Sequence, residues 1–147
     1  MAKTVAVIMG AVFLPLGLLG FVLPNLLGTH LSLAHNIIHL VSGAASLYFG
    51  LKGTVAAAKL FSYLFGAFYL LLGVVGYWLG MTSTTELPAH VAGGYNEHMF
   101  RLVPGVLELG SMDHLVHVAI GAVYLIGAVL TRGDLVKSVE DDPMSTR

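Results

Sequence analysis

The chain contains no cysteine. Thiolate metal sites, iron–sulfur clusters and covalently attached c-type haem are thereby excluded, and nothing is said about the redox compartment. Charge is also scarce: charged residues make up 10% of the 147, against 56% hydrophobic ones. With a mean hydropathy of +0.85, there is too little polar surface to wrap a water-soluble core. A net charge of -1 argues against a nucleic-acid partner. The sequence offers no nucleophile beside a base, no paired carboxylates within an apolar run and no phosphate loop, so no enzymatic activity is expected.

What is present is apolar length. Residues 5–27 and 60–80 each reach the roughly 20 apolar residues that cross a hydrocarbon layer of about 30 Å, and neither run holds a charge. Residues 33–51 and 114–131 are of similar length, interrupted near their starts only by His35, Asn36, His39 and His117. Four transmembrane helices are predicted, making an all-α integral membrane four-helix bundle with the lipid bilayer as its medium. The first run is longer than the apolar core of a secretory signal, and no small-x-small cleavage site follows Leu23-Pro24-Asn25, so it is expected to be retained.

Orientation follows from the basic residues. Lys3, Lys52, Lys59, Arg132, Lys137 and Arg147 fall on the side of both termini and of the second connection, leaving only Arg101 opposite. Both termini are expected to be cytoplasmic, in a cell inner membrane or a thylakoid. All seven histidines, His30, His35, His39, His90, His98, His114 and His117, then lie toward the outer side.

The chain also repeats itself. Gly10-Ala-Val-Phe-Leu-Pro-Leu-Gly17-Leu-Leu-Gly20-Phe21 aligns without a gap on Gly66-Ala-Phe-Tyr-Leu-Leu-Leu-Gly73-Val-Val-Gly76-Tyr77, an offset of 56. Asn36-Ile-Ile-His39-Leu-Val-Ser-Gly43 returns as His114-Leu-Val-His117-Val-Ala-Ile-Gly121, an offset of 78. The single domain, 1–147, thus divides into repeat 1, about 4–51, and repeat 2, about 58–131. The difference between the offsets places 22 extra residues in an outer insertion at about 81–112. Two spans per repeat make the repeats parallel, related by a pseudo-twofold axis along the membrane normal.

Gly10, Gly17 and Gly20 mark a close-packing face, repeated by Gly66, Gly73 and Gly76 and matched on the second helix by Ser42, Ser46 and Gly50. Pro15 is expected to kink the first helix. Pro104-Gly105 rules out a fifth span in the insertion. If residues 99–109 were helical, Arg101 and Glu108 would face one way, as on a segment lying along the membrane surface; a partner-facing loop is the equal alternative. Of the cytoplasmic tail, 132–147, the polar and acidic part at 136–147 is expected to be disordered, a stretch that lies outside the residues described below. Tyr77 and Trp78 look like an outer aromatic belt, with Tyr63 and Tyr69 also falling partly at the interface.

Chemistry concentrates in the histidines. His35 and His39 are four apart and share a helix face, a spacing that can present two imidazoles to a metal. A zinc protease needs Glu directly after the first of them, and Asn36 stands there instead. Across the repeats the shared position is the pair His39 and His117, candidate ligands for haem b or chlorophyll. A wider set of His35, His39, Asp113, His114 and His117 could hold a divalent metal. The alternative is structural: the same residues lie within the first two helical turns, about 9 Å deep, where hydrogen bonds across the axis or to the outer connections would lock helix register.

The duplicated Asn36-x-x-His39-x-x-x-Gly43 and His114-x-x-His117-x-x-x-Gly121, set behind the Gly-Ala-x-aromatic-Leu helices, resemble a bacterial and cyanobacterial family of four-span membrane proteins classed only as a domain of unknown function. The resemblance covers residues 5–130. It implies the four-span fold and a membrane location, and it implies no activity. The long outer connection and acidic tail depart from the family's pattern.

The expectation that results is an accessory or stabilising subunit of a larger photosynthetic or respiratory membrane complex, with other membrane-protein subunits as partners and no cofactor. Two further readings stay open: a haem-, chlorophyll- or metal-binding protein, and a small transporter or channel.

Overall fold

A computed structural model of the chain describes residues 1–80 and 98–132. It is mostly helical, with α1 at Ala2–Gly20, α2 at Leu33–Leu51, α3 at Val55–Leu79 and α4 at Ser111–Val129. Two short antiparallel strands, β1 at Phe100–Val103 and β2 at Leu107–Leu109, correct the all-α expectation. They also correct the helical reading of residues 99–109. Gly105, at φ +75°, turns the chain between the strands, and cross-strand pairing sets Arg101 opposite Glu108 with Nε and Oε1 3.5 Å apart. The two charges do face one way, through sheet register rather than helical period.

Local signals explain the helix limits. Ser32 caps α2 by accepting from the His35 amide, and Thr54 caps α3 by accepting from the Ala57 amide. At the start of α4 the N-cap is Gly110, whose N–H donates to Asp113 Oδ2 at 2.7 Å, so one carboxylate supplies the return half of a capping box. Helix α1 ends at Gly20, earlier than the apolar run that continues to Leu27. Pro24 cannot extend a helix, and the chain turns through a single 3-10 turn at Leu26–Gly28 before the Leu31 amide returns to the Pro24 carbonyl. Pro15 lies inside α1 without ending it.

Three of the helices, α1, α3 and α4, are long and apolar enough to cross a membrane. Helix α2 has the same 19 residues as α1 and α4, but five polar side chains, His35, Asn36, His39, Ser42 and Ser46, lower its hydropathy.

Helix α1 packs along α2, and α3 along α4, with fewer contacts between the two pairs. Glycine makes each pairing close. A Cβ on Gly10 would meet Leu47 and the Gly43 carbonyl within 2.9 Å; one on Gly66 would meet Leu125 and the Gly121 carbonyl within 3.0 Å. Gly17 lies against Asn36, His39 and Leu40, and Gly73 against His114 and Val118. Gly20 faces the Asn36 side chain as Gly76 faces the His114 ring. Apart from that of Gly17 with His39, these contacts recur at the offsets of 56 and 78 read from the sequence, so both pairs are built on one template.

The ends of the molecule are tied separately. At one end Ala2 N–H donates to Thr131 Oγ1 at 2.6 Å, Thr131 Oγ1 donates to the Gly127 carbonyl, and Lys3 Nζ donates to the Gly53 carbonyl. The start of α1, the α2–α3 connection and the end of α4 therefore sit together. At the other end Ser32 Oγ donates to the Val106 carbonyl, fastening the β-hairpin to the head of α2. Thr131→Val keeps the shape of this buried side chain and removes its hydroxyl. Two hydrogen bonds are lost and the buried Ala2 N–H is left without an acceptor, so a cost of about 1–3 kcal/mol is expected, read as a lower midpoint in thermal unfolding of the detergent-solubilised protein.

Candidate functional site

The polar core gathers at the heads of α2 and α4, under the β-hairpin. The first turns of α2 stack His35 and His39, whose ring centroids are 4.4 Å apart. From α4, His117 brings its ring to 5.8 Å from that of His35. Asp113, one turn earlier, places Oδ1 4.0 Å from His35 Nδ1. All four residues are at most 3% exposed. His35, which the repeat alignment leaves out of the shared pair, is thus the residue that touches both His39 and His117. His114 turns away from this group: its Nε2–H donates to the His98 carbonyl, and the ring leans on Gly76.

The repeat offsets explain the layout. Phe13 and Tyr69 are equivalent positions, as are His39 and His117. Phe13 lies 5.6 Å from His39, Tyr69 lies 5.4 Å from His117, and the two aromatic rings meet at 5.7 Å. His35 and Asp113 are equivalents in contact, and so are Ser46 and Tyr124, hydrogen-bonded at 2.6 Å. A position that touches its own equivalent lies on a twofold axis. Three such pairs mark the axis from the hairpin end down past the middle of the helices. Ser42, hydrogen-bonded to the Tyr69 hydroxyl at 3.0 Å, continues the polar column between them.

Hydrogen bonding separates the roles of the histidines. His35 Nδ1–H donates to the His30 carbonyl at 2.8 Å, which for a neutral imidazole leaves Nε2 as acceptor. Asp113 accepts from the His30 amide at 3.0 Å and from the Gly110 amide, so a single carboxylate joins the α1–α2 connection to the head of α4. The ties to the outer connections expected of His39 and His117 are made instead by His35 and His114. His39 and His117 pack against aromatic rings, and the Nδ1 of each has no protein partner; the same holds for Asn36 Oδ1, His114 Nδ1 and Ser62 Oγ.

A cavity of about 60 Å3 is lined by His35, His117 and Tyr69, with Ile38, Phe68 and Leu72 beside them and Leu102, Leu107 and Leu109 of the hairpin above. It is far too small for a tetrapyrrole, and the space between His39 and His117 is filled by His35, Phe13 and Tyr69. Haem and chlorophyll do not fit this pair. Among the described residues no group of three or more His, Asp or Glu side chains is arranged to hold a metal ion. The five-residue set of His35, His39, Asp113, His114 and His117 is not gathered as ligands: His114 gives Nε2–H to the His98 carbonyl, and Asp113 is engaged by two backbone amides.

Two core residues, Phe13 and Tyr124, are not singled out by the sequence; Ser42 and Ser46 stand out there only as a packing face, and Tyr69 is placed partly at the interface although it is 2% exposed. The signal lay in the alignment. At an offset of 56 Phe13 stands opposite Tyr69, and at 78 Ser46 stands opposite Tyr124. Of the loop histidines, His98 stacks on Tyr77 at 4.0 Å and His30 gives both backbone groups to the core, while His90 lies outside the described residues. Comparison of the chain with protein-family models, curated proteins and solved structures returned no match.

Proposed function

We propose that the chain is a four-span integral membrane protein, a bundle of two parallel two-helix repeats, that serves without catalysis as an accessory or stabilising subunit of a larger membrane complex. The bundle is polar inside and apolar outside, as a lipid-embedded protein should be. Helix α2 belongs to it despite its lower hydropathy. His35, Asn36, His39, Ser42 and Ser46 all face inward, while Leu33, Ile37, Val41, Tyr48 and Leu51 form its exposed face. Lys3, Lys52, Lys59 and Arg132 gather at the end where Ala2 meets Thr131, with Arg101 at the other, which favours cytoplasmic termini in an inner or thylakoid membrane. The resemblance noted above agrees with this placement.

One observation carries the accessory reading: among the described residues the cavity beside the histidines measures about 60 Å3, whereas a groove of about 510 Å3 opens sideways between α3 and α4. Gly73, Val74, Tyr77, Trp78, Leu115 and Val118 line it, so what this molecule offers a neighbour is a lateral apolar surface. A transport path is not favoured. The polar column ends at Tyr124, boxed in by Phe61 and Phe65 at 5.9 and 5.5 Å.

Gentle purification from the native membrane is expected to bring companion subunits at fixed stoichiometry. Filling the groove with Val74→Phe and Leu115→Phe should release them while helix content is kept. A monodisperse chain with no companion, from membranes extracted under several mild detergents, would remove the proposal.

A further inference from the structure

The tip of the hairpin is apolar where a water-facing turn is ordinarily polar. Leu102-Val103-Pro104-Gly105-Val106 is a run of exposed residues without one polar side chain, and Leu102, Val103 and Val106 are each about half exposed. Turns in water favour Asn, Asp and Ser, and an exposed apolar run of this length marks a surface made to be covered. The backbone of the tip is also closed. Pro104 has no N–H, the Gly105 N–H donates to Glu108 Oε1 at 2.9 Å, the Val106 N–H donates to the Val103 carbonyl, and the Val106 carbonyl accepts from Ser32 Oγ. Hydrocarbon demands such closure, because an unpaired amide finds no water there.

The seat of the hairpin on the bundle gives the same answer. Ser32, which holds Val106, directly precedes Leu33, where the exposed apolar stripe of α2 begins and runs on through Ile37 and Val41. Leu102 and Leu107 share their small cavity with Ile38 of α2 and Leu72 of α3. Ile38 stands five residues past Leu33 and Leu72 seven before Leu79, about 8–10 Å in from the helix ends. The hairpin thus reaches down the helix flanks and continues their apolar surface.

We infer that the hairpin tip, residues 102–106, is seated in the membrane, in the hydrocarbon of the leaflet at this end of the bundle. The inference rests on the membrane-spanning reading above and is separate from the accessory role. Arg101 and Glu108, opposed at 3.5 Å, then stand at headgroup level, where an arginine keeps its stem in hydrocarbon and its charge in the polar layer.

Because the chain has no cysteine, single spin labels can be placed without background. Val103→Cys, Val106→Cys and, on the apolar stripe of α2, Val41→Cys are to be labelled in the full chain and reconstituted into vesicles of phosphatidylcholine and phosphatidylglycerol. Electron paramagnetic resonance compares collisions with oxygen, which concentrates in hydrocarbon, and with a nickel chelate, which stays in water. An oxygen-to-nickel collision ratio above one is expected at all three labels. A ratio below one at Val103 or Val106, with Val41 above one, would overturn the seating of the hairpin and leave the spans intact. A ratio below one at Val41 would remove the spans and the inference with them. Loss of access to both reagents at Val103 and Val106 would mean that protein covers the tip, which also overturns the inference.

Discussion

Gly121→Leu is expected to prevent α3 and α4 from pairing, and to leave little folded protein. A Cβ at this position would stand 2.5 Å from the Leu70 amide nitrogen and 2.7 Å from the Gly66 carbonyl, both backbone atoms that no rotamer change can move aside. Enlarging a side chain in a packed core ordinarily costs about 1–3 kcal/mol, and the upper end or beyond applies when the obstacle is a helix backbone. In lipid the loss is heavier in proportion, since helix pairs there are held by dispersion contact and not by exclusion of water. Gly105 supplies the contrast. It has nothing within 4 Å of its would-be Cβ, and at φ +75° Gly105→Ala should cost only about 1 kcal/mol of backbone strain. The check is the folded fraction of each variant after membrane extraction, by size-exclusion profile and circular dichroism. Equal yields for the two variants would show that the glycine face is not what holds the helices together.

Asp113→Ala should be nearly as damaging. The carboxylate takes the His30 and Gly110 amides and faces His35, and the residue is 1% exposed. Its removal leaves the buried Gly110 N–H and the half-buried His30 N–H without an acceptor, at about 1–3 kcal/mol for the first and less for the second, so a loss of about 3 kcal/mol is expected. Asp113→Asn keeps one acceptor oxygen and should recover roughly half of that. Hydrogen exchange offers the sharper reading, with the Gly110 and His30 amides losing protection in the alanine variant while the helices away from the hairpin keep theirs. Unchanged exchange at both amides would mean that the carboxylate caps nothing.

Much of this architecture was legible in the sequence because its period is coarse. Apolar length placed the helices, and glycine spacing identified the faces that pair, since Gly10, Gly17 and Gly20 recur as Gly66, Gly73 and Gly76. The hairpin was not legible. Met99-Phe-Arg-Leu-Val-Pro-Gly-Val-Leu-Glu-Leu109 is a short apolar run whose period cannot separate strand from surface helix, and only its contacts with α2 and the histidine cavity make it a cover. The site was half legible. Alignment brought out His39 and His117 because those positions kept their residue type, and it passed over His35 and Asp113 because theirs changed. Yet the positions that touch across the axis are the changed ones. Likeness between repeats found equivalent places, and contact was decided by distance from the axis.

The axial pairs carry a consequence for the chain's history and its engineering. Two identical hairpins meeting on a twofold axis would set each axial residue against itself, and a pair of tyrosines or a pair of aspartates would compete for the same room or repel. Here those places hold His35 with Asp113, Ser46 with Tyr124 and Phe13 with Tyr69. Serine stands against tyrosine, and base against acid. The two halves are complementary at these places, and two copies of either half would lose the pairing of His35 with Asp113 and of Ser46 with Tyr124 that their linkage preserves.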